Sequence, residues 1–219
     1  MPPPCDLILP CRDEAAALPA LLARVPDQLG VIVVDNGSTD GTAAVARRHG
    51  ARVVLEPRPG YGAAVQAGLE ASAAEYVAVL DGDGSMDPTE IVRLLEVVTS
   101  GAATMAVGRR RPSRAGNWPW HARVGNAVVC WWLRRRTGVE LRDLATMRVC
   151  RRQQLLELDV RDRRFGYPLE LVVKAQAAGW VMAERDITYF PRARGTRSKV
   201  SGSVRGSLRA ARDFARVLP

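Results

Sequence analysis

The sequence predicts one α/β domain in which a mostly parallel sheet carries helices on both faces. Three observations support that fold class. The apolar run Val31-Ile32-Val33-Val34 is continuous rather than alternating, as expected of a strand buried on both sides. Such runs alternate with helical patterns over short connections, which implies right-handed crossovers and parallel pairing. No internal repeat or clear linker interrupts the 219 residues, a length that one large domain accommodates.

The elements follow in order. Leu7-Ile8-Leu9 is a strand, and Asp13 or Glu14 opens a helix through Leu18, Leu21 and Leu22. Val31 to Val34 is the second strand, ending at Asp35. Asn36-Gly37-Ser38-Thr39-Asp40-Gly41 is a turn, with Asp40 as a helix cap, and Thr42 to His49 is a helix stopped by Gly50. Arg52 to Leu55 and Tyr76 to Leu80 are strands flanking an alanine-rich helix over Ala63 to Ala73. Asp87 caps a further helix with Pro88 at its first position. Thr104 to Val107 is the fifth strand. Beyond it the pattern is less regular: a Pro/Gly/Trp loop over Arg111 to Trp120, a helix over His121 to Arg136, and a strand over Thr146 to Cys150. A helix over Leu169 to Ala178, a strand over Val181 to Ile187 and a basic Gly/Ser-rich loop from Arg192 to Gly206 complete the chain.

Composition narrows the function. No apolar run has the length of a membrane span, and Met1-Pro-Pro-Pro-Cys-Asp lacks the features of a signal peptide, so the expected location is cytoplasmic. Cys5, Cys11, Cys130 and Cys150 lack metal-ligand spacing, and His49 and His121 are too few for a histidine zinc site. The net charge of +9 concentrates in arginines from Arg109 onward, which suits a nucleic acid, an anionic membrane or phosphate-bearing substrates. Aromatic-interleaved basic stripes or a known nucleic-acid motif would mark a nucleic-acid module, and neither is present.

In parallel α/β sheets ligands bind at the carboxyl ends of strands. Pro10, Asp35, Asp81 and Gly108 all follow strands and should share one rim. Asp81-Gly82-Asp83 by itself is a common acidic turn. On that rim, its two carboxylates are suited to Mg²⁺ or Mn²⁺ that completes its shell with water and substrate phosphate. Asp35 is placed to accept hydrogen bonds from a base or ribose. Gly60-Tyr61-Gly62 before a helix either opens backbone amides to a phosphate or is a tight strand-to-helix turn. Arg194, Arg197, Ser198 and Lys199 form a basic loop that either clamps phosphates or is a disordered tail.

In order along the chain, these segments resemble inverting family 2 glycosyltransferases of the GT-A fold, most of all the polyprenyl-phosphate (dolichol-phosphate) mannose and glucose synthases. The resemblance rests on Leu9-Pro10-Cys-Arg-Asp-Glu14, Val33-Val34-Asp35-Asn-Gly-Ser-Thr-Asp40-Gly41-Thr42, Gly60-Tyr-Gly62-Ala-Ala-Val-Gln-Ala-Gly68 and Asp81-Gly-Asp83. It continues through Val107-Gly108-Arg-Arg110, Arg123-Val-Gly-Asn126, Asp143-Leu-Ala-Thr-Met-Arg148, Gly166-Tyr-Pro-Leu-Glu170 and Gly195-Thr-Arg-Ser198-Lys199. It implies a nucleotide-sugar-binding half over 1–108 and an acceptor half over 109–219. Pro10, Arg12, Glu14 and Asp35 would contact the nucleoside, with Gly60 and Gly82 on the donor side. Asp81 and Asp83 would hold the metal and diphosphate. Arg110 and Arg123 would lie near donor or acceptor phosphate, and Arg197 and Lys199 would close over the site.

Two departures bear on chemistry. Ser85 stands where mannose synthases often carry a further metal-binding Gln, and Leu144-Ala-Thr-Met-Arg148 replaces the usual Thr-Ser/Thr-Gly-Phe-Arg. The family's membrane-spanning domains have no counterpart before Pro219.

The expected reaction is a single in-line displacement at the anomeric carbon, with Asp83 and Arg197 among the catalytic groups. A polyprenyl-phosphate acceptor arrives ionised. A hydroxyl acceptor needs a base, for which Glu170 is the candidate unless it anchors an arginine. A nucleotidyltransferase would carry a Gly-rich basic loop after the first strand, which Pro10-Cys-Arg-Asp-Glu14 is not. Trp118, Trp120, Trp131 and Trp132 with the late arginines either meet an anionic membrane peripherally, at the inner face of the cell membrane, or form an aromatic core under a basic face.

Overall fold

Strand side chains alternate between faces, and at the centre of the first strand Leu7 and Leu9 on one side and Ile8 on the other are all apolar, so both faces of the sheet must be covered. A computed structural model describes residues 4–114 and 118–193. Leu7 and Leu9 of β1 (Cys5–Cys11) join one core with Leu18 and Leu21 of α1 (Leu18–Leu22), Ala46 of α2 (Thr42–Arg48) and Ile91, Leu94, Leu95 and Val98 of α4 (Ile91–Thr99). Ile8 points the other way. It meets Val65 and Leu69 of α3 (Tyr61–Ala71), and this second core runs on to Leu133 of α5 (Trp120–Thr137), Leu155 of α6 (Arg152–Glu157) and Val172 of α7 (Tyr167–Ala177). Each fully buried Leu or Ile contributes about 1.5–3 kcal/mol, so the two apolar layers outweigh any single cap or surface ion pair.

The remaining strands are β2 (Leu29–Asp35), β3 (Arg52–Leu55), β4 (Tyr76–Val79), β5 (Met105–Pro112), β6 (Arg148–Arg151) and β7 (Met182–Tyr189). They form a seven-stranded sheet in the order β3-β2-β1-β4-β6-β5-β7. All neighbours are parallel except those of β6, which runs antiparallel to β4 and β5. That reversal matters for the site, because the start of β6, rather than its end, lies at the rim where β1 and β4 finish.

Several expectations shift in detail. Asp87 does cap a start, its carboxylate accepting from the Thr89 amide at 3.1 Å, but the first turn is a 3-10 turn over Pro88–Glu90 before α4 begins. The expected loop from Arg111 is strand as far as Pro112, because β5 pairs with β7 through Pro112↔Tyr189. The division at residue 108 therefore falls inside β5. Helix α6 has no counterpart in the sequence reading; it is only six residues long, too short for a clear period. No helix among the described residues is long and apolar enough to cross a membrane.

Candidate active site

Strand register builds the rim. Cys11 pairs with Asp35 and Ile8 with Val79, which puts Pro10 and Cys11 between Asp35 on one side and Asp81 on the other. The loops leaving β1 and β2 are then laced together. Asp13 donates its amide to Ser38 Oγ at 3.0 Å and accepts from the Thr39 amide at 2.8 Å, while the amides of Glu14 and Ala15 donate to Thr42 Oγ1 and Asp40 Oδ2. Asp13 adopts φ 54°, a left-handed conformation costing about 1 kcal/mol that this lacing holds in place. Asp35 is buried and accepts from the Ser38 amide at 2.8 Å. Glu14 is buried, whereas Arg12 is exposed at the lip.

Four carboxylates converge here. Burial drives the Cys11 thiol well above its ordinary value, and Glu14, Asp35, Asp81 and Asp83 push it further, so Cys11 is a reporter of local negative charge and not a nucleophile. Gly82 lies so close that a Cβ would stand 2.3 Å from Cys11 Sγ; this spacer must be glycine for the acidic turn to seat against β1. Asp81 keeps part of its surface open and receives a hydrogen bond from the Thr146 side chain. Its carboxyl is pushed up to about 6, first by burial and then by Asp83, against the pull of Arg192. Asp83 is buried: Oδ1 accepts from the Ser85 amide at 2.9 Å and Oδ2 pairs with Arg192 at 3.0 Å.

This arrangement fits a hard divalent cation held from one side only. Among the described residues no group of three or more His, Cys, Asp or Glu side chains is placed to hold a metal. Two carboxylates completed by water and diphosphate are what Mg²⁺ accepts. The carboxyl of Asp81 is raised first by burial and then by Asp83, and a bound cation would stabilise its charged form against both. Ser85 is buried and its backbone carbonyl accepts from the Phe190 amide at 2.8 Å, so the segment after β7 is tied directly to the acidic turn.

The basic side of the rim is equally ordered. Arg110 lies against the buried Asp143, its Nε and backbone amide donating to Oδ2 at 2.9 and 2.8 Å and its Nη2 to Oδ1 at 2.6 Å. Burial alone would lower that guanidinium, but Asp143 holds it above its ordinary value. Trp118 covers it, with the ring centre 4.2 Å from Cζ, and packs in turn on Tyr189. Arg123 is exposed on the first turn of α5.

The open phosphate-loop reading of Gly60 is overturned. The Gly60 amide donates to Asn36 Oδ1 at 2.8 Å, and the Gly62 and Ala63 amides donate to the carbonyls of Arg164 and Arg163 at 3.2 and 2.9 Å. The turn is tight because the 161–164 loop sits on it: Gly60 has φ 147°, and a Cβ there would stand 2.0 Å from the Arg163 carbonyl oxygen. Gly60→Ala is therefore expected to cost at least about 2 kcal/mol in a urea melt. Glu170 anchors that same loop. Its oxygens accept from the amides of Arg161 at 2.9 Å and Asp162 at 2.6 Å and pair with Lys174 at 3.2 Å. Burial pushes its carboxyl up, but these partners bring it below its ordinary value, which is the wrong direction for a base at neutral pH. The partner it anchors is a loop, not an arginine side chain.

Thr146, Arg192 and Asp143 had no individual role in the sequence, although each lay in a segment singled out there, and Trp118 was expected at a membrane or in an aromatic core rather than over Arg110. Arg148 is a further case. It is buried in β6 beside Val79, donating from Nε to the Ala145 carbonyl at 2.9 Å and from Nη1 to the Pro168 carbonyl at 3.0 Å. With Tyr61, Thr146 and Tyr167 it lines a small cavity, where burial lowers its guanidinium below its ordinary value. Arg197 and Lys199 lie outside the described residues.

Comparison with known proteins gives the family. The sequence model of glycosyl transferase family 2 matches residues 6–151. An uncharacterised glycosyltransferase of Mycobacterium tuberculosis is 53% identical over 212 residues, 97% of this chain and 96% of its own. Polyprenol monophosphomannose synthase of Mycolicibacterium smegmatis is 33% identical over 90% of this chain and 81% of its own. Among solved structures, glucosyl-3-phosphoglycerate synthase from M. tuberculosis, in complex with Mn²⁺, UDP and glucosyl-3-phosphoglycerate, superposes with a TM-score of 0.76. It shares 21% identity over 99% of this chain and 78% of that one. A parallel sheet with one reversed strand, a carboxylate pair on its rim and a matching profile together make this chain a member of glycosyltransferase family 2, an enzyme of the GT-A fold.

Proposed function

We propose that the chain transfers a hexose, with inversion, from a nucleotide-sugar of the GDP-mannose or UDP-glucose type to polyprenyl phosphate. The observation that carries this reading is the Asp81–Asp83 pair just past the end of β4, on the rim beside Pro10 and Asp35, with Arg192 paired to Asp83. The likeness to a polyprenol monophosphomannose synthase supports the acceptor class.

Asp81 and Asp83 would hold Mg²⁺ or Mn²⁺, which when bound neutralises charge on the departing diphosphate. Pro10, Arg12, Glu14 and Asp35 orient the nucleoside, Asp35 through the carboxylate oxygen not used by Ser38. Arg192 has two roles. Without donor it balances Asp83; with a diphosphate present it turns to that stronger, bidentate anion. Arg197 and Lys199 follow from the same segment to close the site, and Arg110 and Arg123 face the acceptor phosphate. That phosphate is its own nucleophile, so no base is required and Glu170 acts only by holding the 161–164 loop.

The test is transfer of label from GDP-mannose or UDP-glucose into organic-soluble polyprenyl phosphate, with added Mg²⁺ or Mn²⁺ and with chelator. Failure of every donor to label the lipid would overturn the acceptor, and full activity in chelator would overturn the metal. Arg192→Gln is expected to raise the donor KM roughly tenfold, the size of one lost charge-assisted contact, while leaving most of the fold's stability. An unchanged donor KM would remove Arg192 from the diphosphate site.

A further inference from the structure

Helix α5 is apolar on two opposite faces. One face is spent on the core, where Cys130 and Leu133 are buried and Val129 and Trp132 pack against the second cluster. The other carries Trp120, Val124, Val128 and Trp131, which are 75, 53, 57 and 60% exposed. Their spacing of four, four and three residues keeps all four within an arc of about 80° at 3.6 residues per turn. Single exposed hydrophobes are ordinary; four on one stripe, two of them tryptophan, mark a surface built to meet something. The aromatic-core reading thus holds for Trp132 and Trp118, which pack inward, and fails for Trp120 and Trp131.

Charge decides the partner. Trp120–Thr137 contains no Asp or Glu, whereas Arg123, Arg134, Arg135 and Arg136 are exposed beside the stripe. Arg135 lies over the Trp131 ring at 5.7 Å, and Arg134 reaches Glu140 beyond the helix at 3.4 Å. A second copy packed face to face would oppose these arginines to their own images. A bilayer with anionic headgroups offers an apolar interior for the stripe, an interfacial zone for tryptophan and negative charge for the flanks.

We propose that the outward face of α5 lies on the surface of an anionic lipid bilayer and holds the acceptor rim against it. The helix is rigidly joined to that rim. Trp118, two residues before it, stacks on Arg110, and Asn126 accepts from the Leu144 amide at 3.0 Å and donates to the Arg142 carbonyl at 3.2 Å, gripping both sides of Asp143. Docking on α5 brings Arg110 to the depth of lipid phosphates. The inference deepens the polyprenyl-phosphate reading and rests on it for what the docked rim receives.

The experiment uses the full chain with vesicles of phosphatidylcholine alone or mixed with phosphatidylglycerol, some carrying brominated acyl chains. We expect co-sedimentation with the anionic vesicles only, weakened by salt, and quenching of tryptophan emission by the bromolipid. The double variant Trp120→Ser/Trp131→Ser should lose at least about tenfold in partitioning and nearly all quenching. Its circular dichroism and its transfer to a short water-soluble prenyl phosphate should match the parent. Arg134→Gln/Arg135→Gln/Arg136→Gln should weaken binding to anionic vesicles in the same way.

No binding by the parent chain, or equal binding by the tryptophan variant, would overturn the proposal. So would a parent dimer that the variant dissolves while neither species meets vesicles. Vesicle binding without transfer into lipid from any donor overturns the acceptor reading and leaves the docking standing; transfer in detergent without vesicle binding does the reverse.

Discussion

Asp83→Ala is expected to lower kcat/KM for sugar transfer by about 10²–10³-fold, the size of a lost preorganised charge contact. Asp83 is buried, and its two oxygens are committed to the Ser85 amide and Arg192, so no neighbouring carboxylate can replace it in the same geometry. The cost in stability should be smaller than burial alone implies. Removing Asp83 also removes the repulsion that helps hold the Asp81 carboxyl up at about 6, and leaves Asp81 to balance Arg192. A second readout isolates the metal: Mn²⁺ should raise the Tm of the parent and not of the variant. For the parent, the sign with pH is set by Asp81. Its value is raised on folding, so the fold favours the protonated form, and this position costs stability above about pH 6 in the absence of metal. The Mn²⁺-dependent rise in Tm should accordingly shrink as pH falls through about 6. Undiminished turnover in Asp83→Ala, or an equal Mn²⁺ effect on both proteins, would sink the metal role.

The second large effect falls on stability. Asp143→Ala should cost about 3–5 kcal/mol in a urea melt, because it strands a guanidinium that is partly buried under Trp118. Asp143 is only 1% exposed and takes three hydrogen bonds from Arg110. The double variant Asp143→Ala/Arg110→Met should recover much of that loss, since an apolar replacement of both partners leaves no orphaned charge. Arg110→Met alone should also destabilise, because it strands the buried Asp143 carboxylate; a raised acceptor KM in the double variant, at its recovered stability, would assign the free edge of Arg110 to acceptor phosphate. A loss below about 1 kcal/mol for Asp143→Ala would show instead that water reaches the pair and screens it.

The legible part of this protein was local. Continuous apolar runs announced buried strands, and the residues directly after them, Pro10, Asp35 and Asp81, do share one rim because parallel strands start and stop together. Gly60-Tyr61-Gly62 was legible as a turn but not as to its purpose. Whether its amides faced a ligand or the chain depended on Arg163 and Arg164, about a hundred residues away in sequence. Glu170 looked like a base for the same reason: its partners at Arg161 and Asp162 are backbone amides, and those leave no trace in residue identity.

What the sequence by itself determined was the layered α/β class, the order of the elements, and the acidic pair at a strand end, all of which follow from hydrophobic period and chain connectivity. Only the tertiary structure decided that β6 runs backward between β4 and β5. That reversal carries Asp143 to Arg110, Thr146 to Asp81 and Arg148 into the sheet beside Val79. It likewise decided that α5 buries one apolar face and exposes the other, a distinction to which a helical period is blind when both faces are apolar. The physical reason is common to both: strand direction and helix orientation are set by which long-range contacts bury the most apolar surface, and those contacts exist only once the chain has folded.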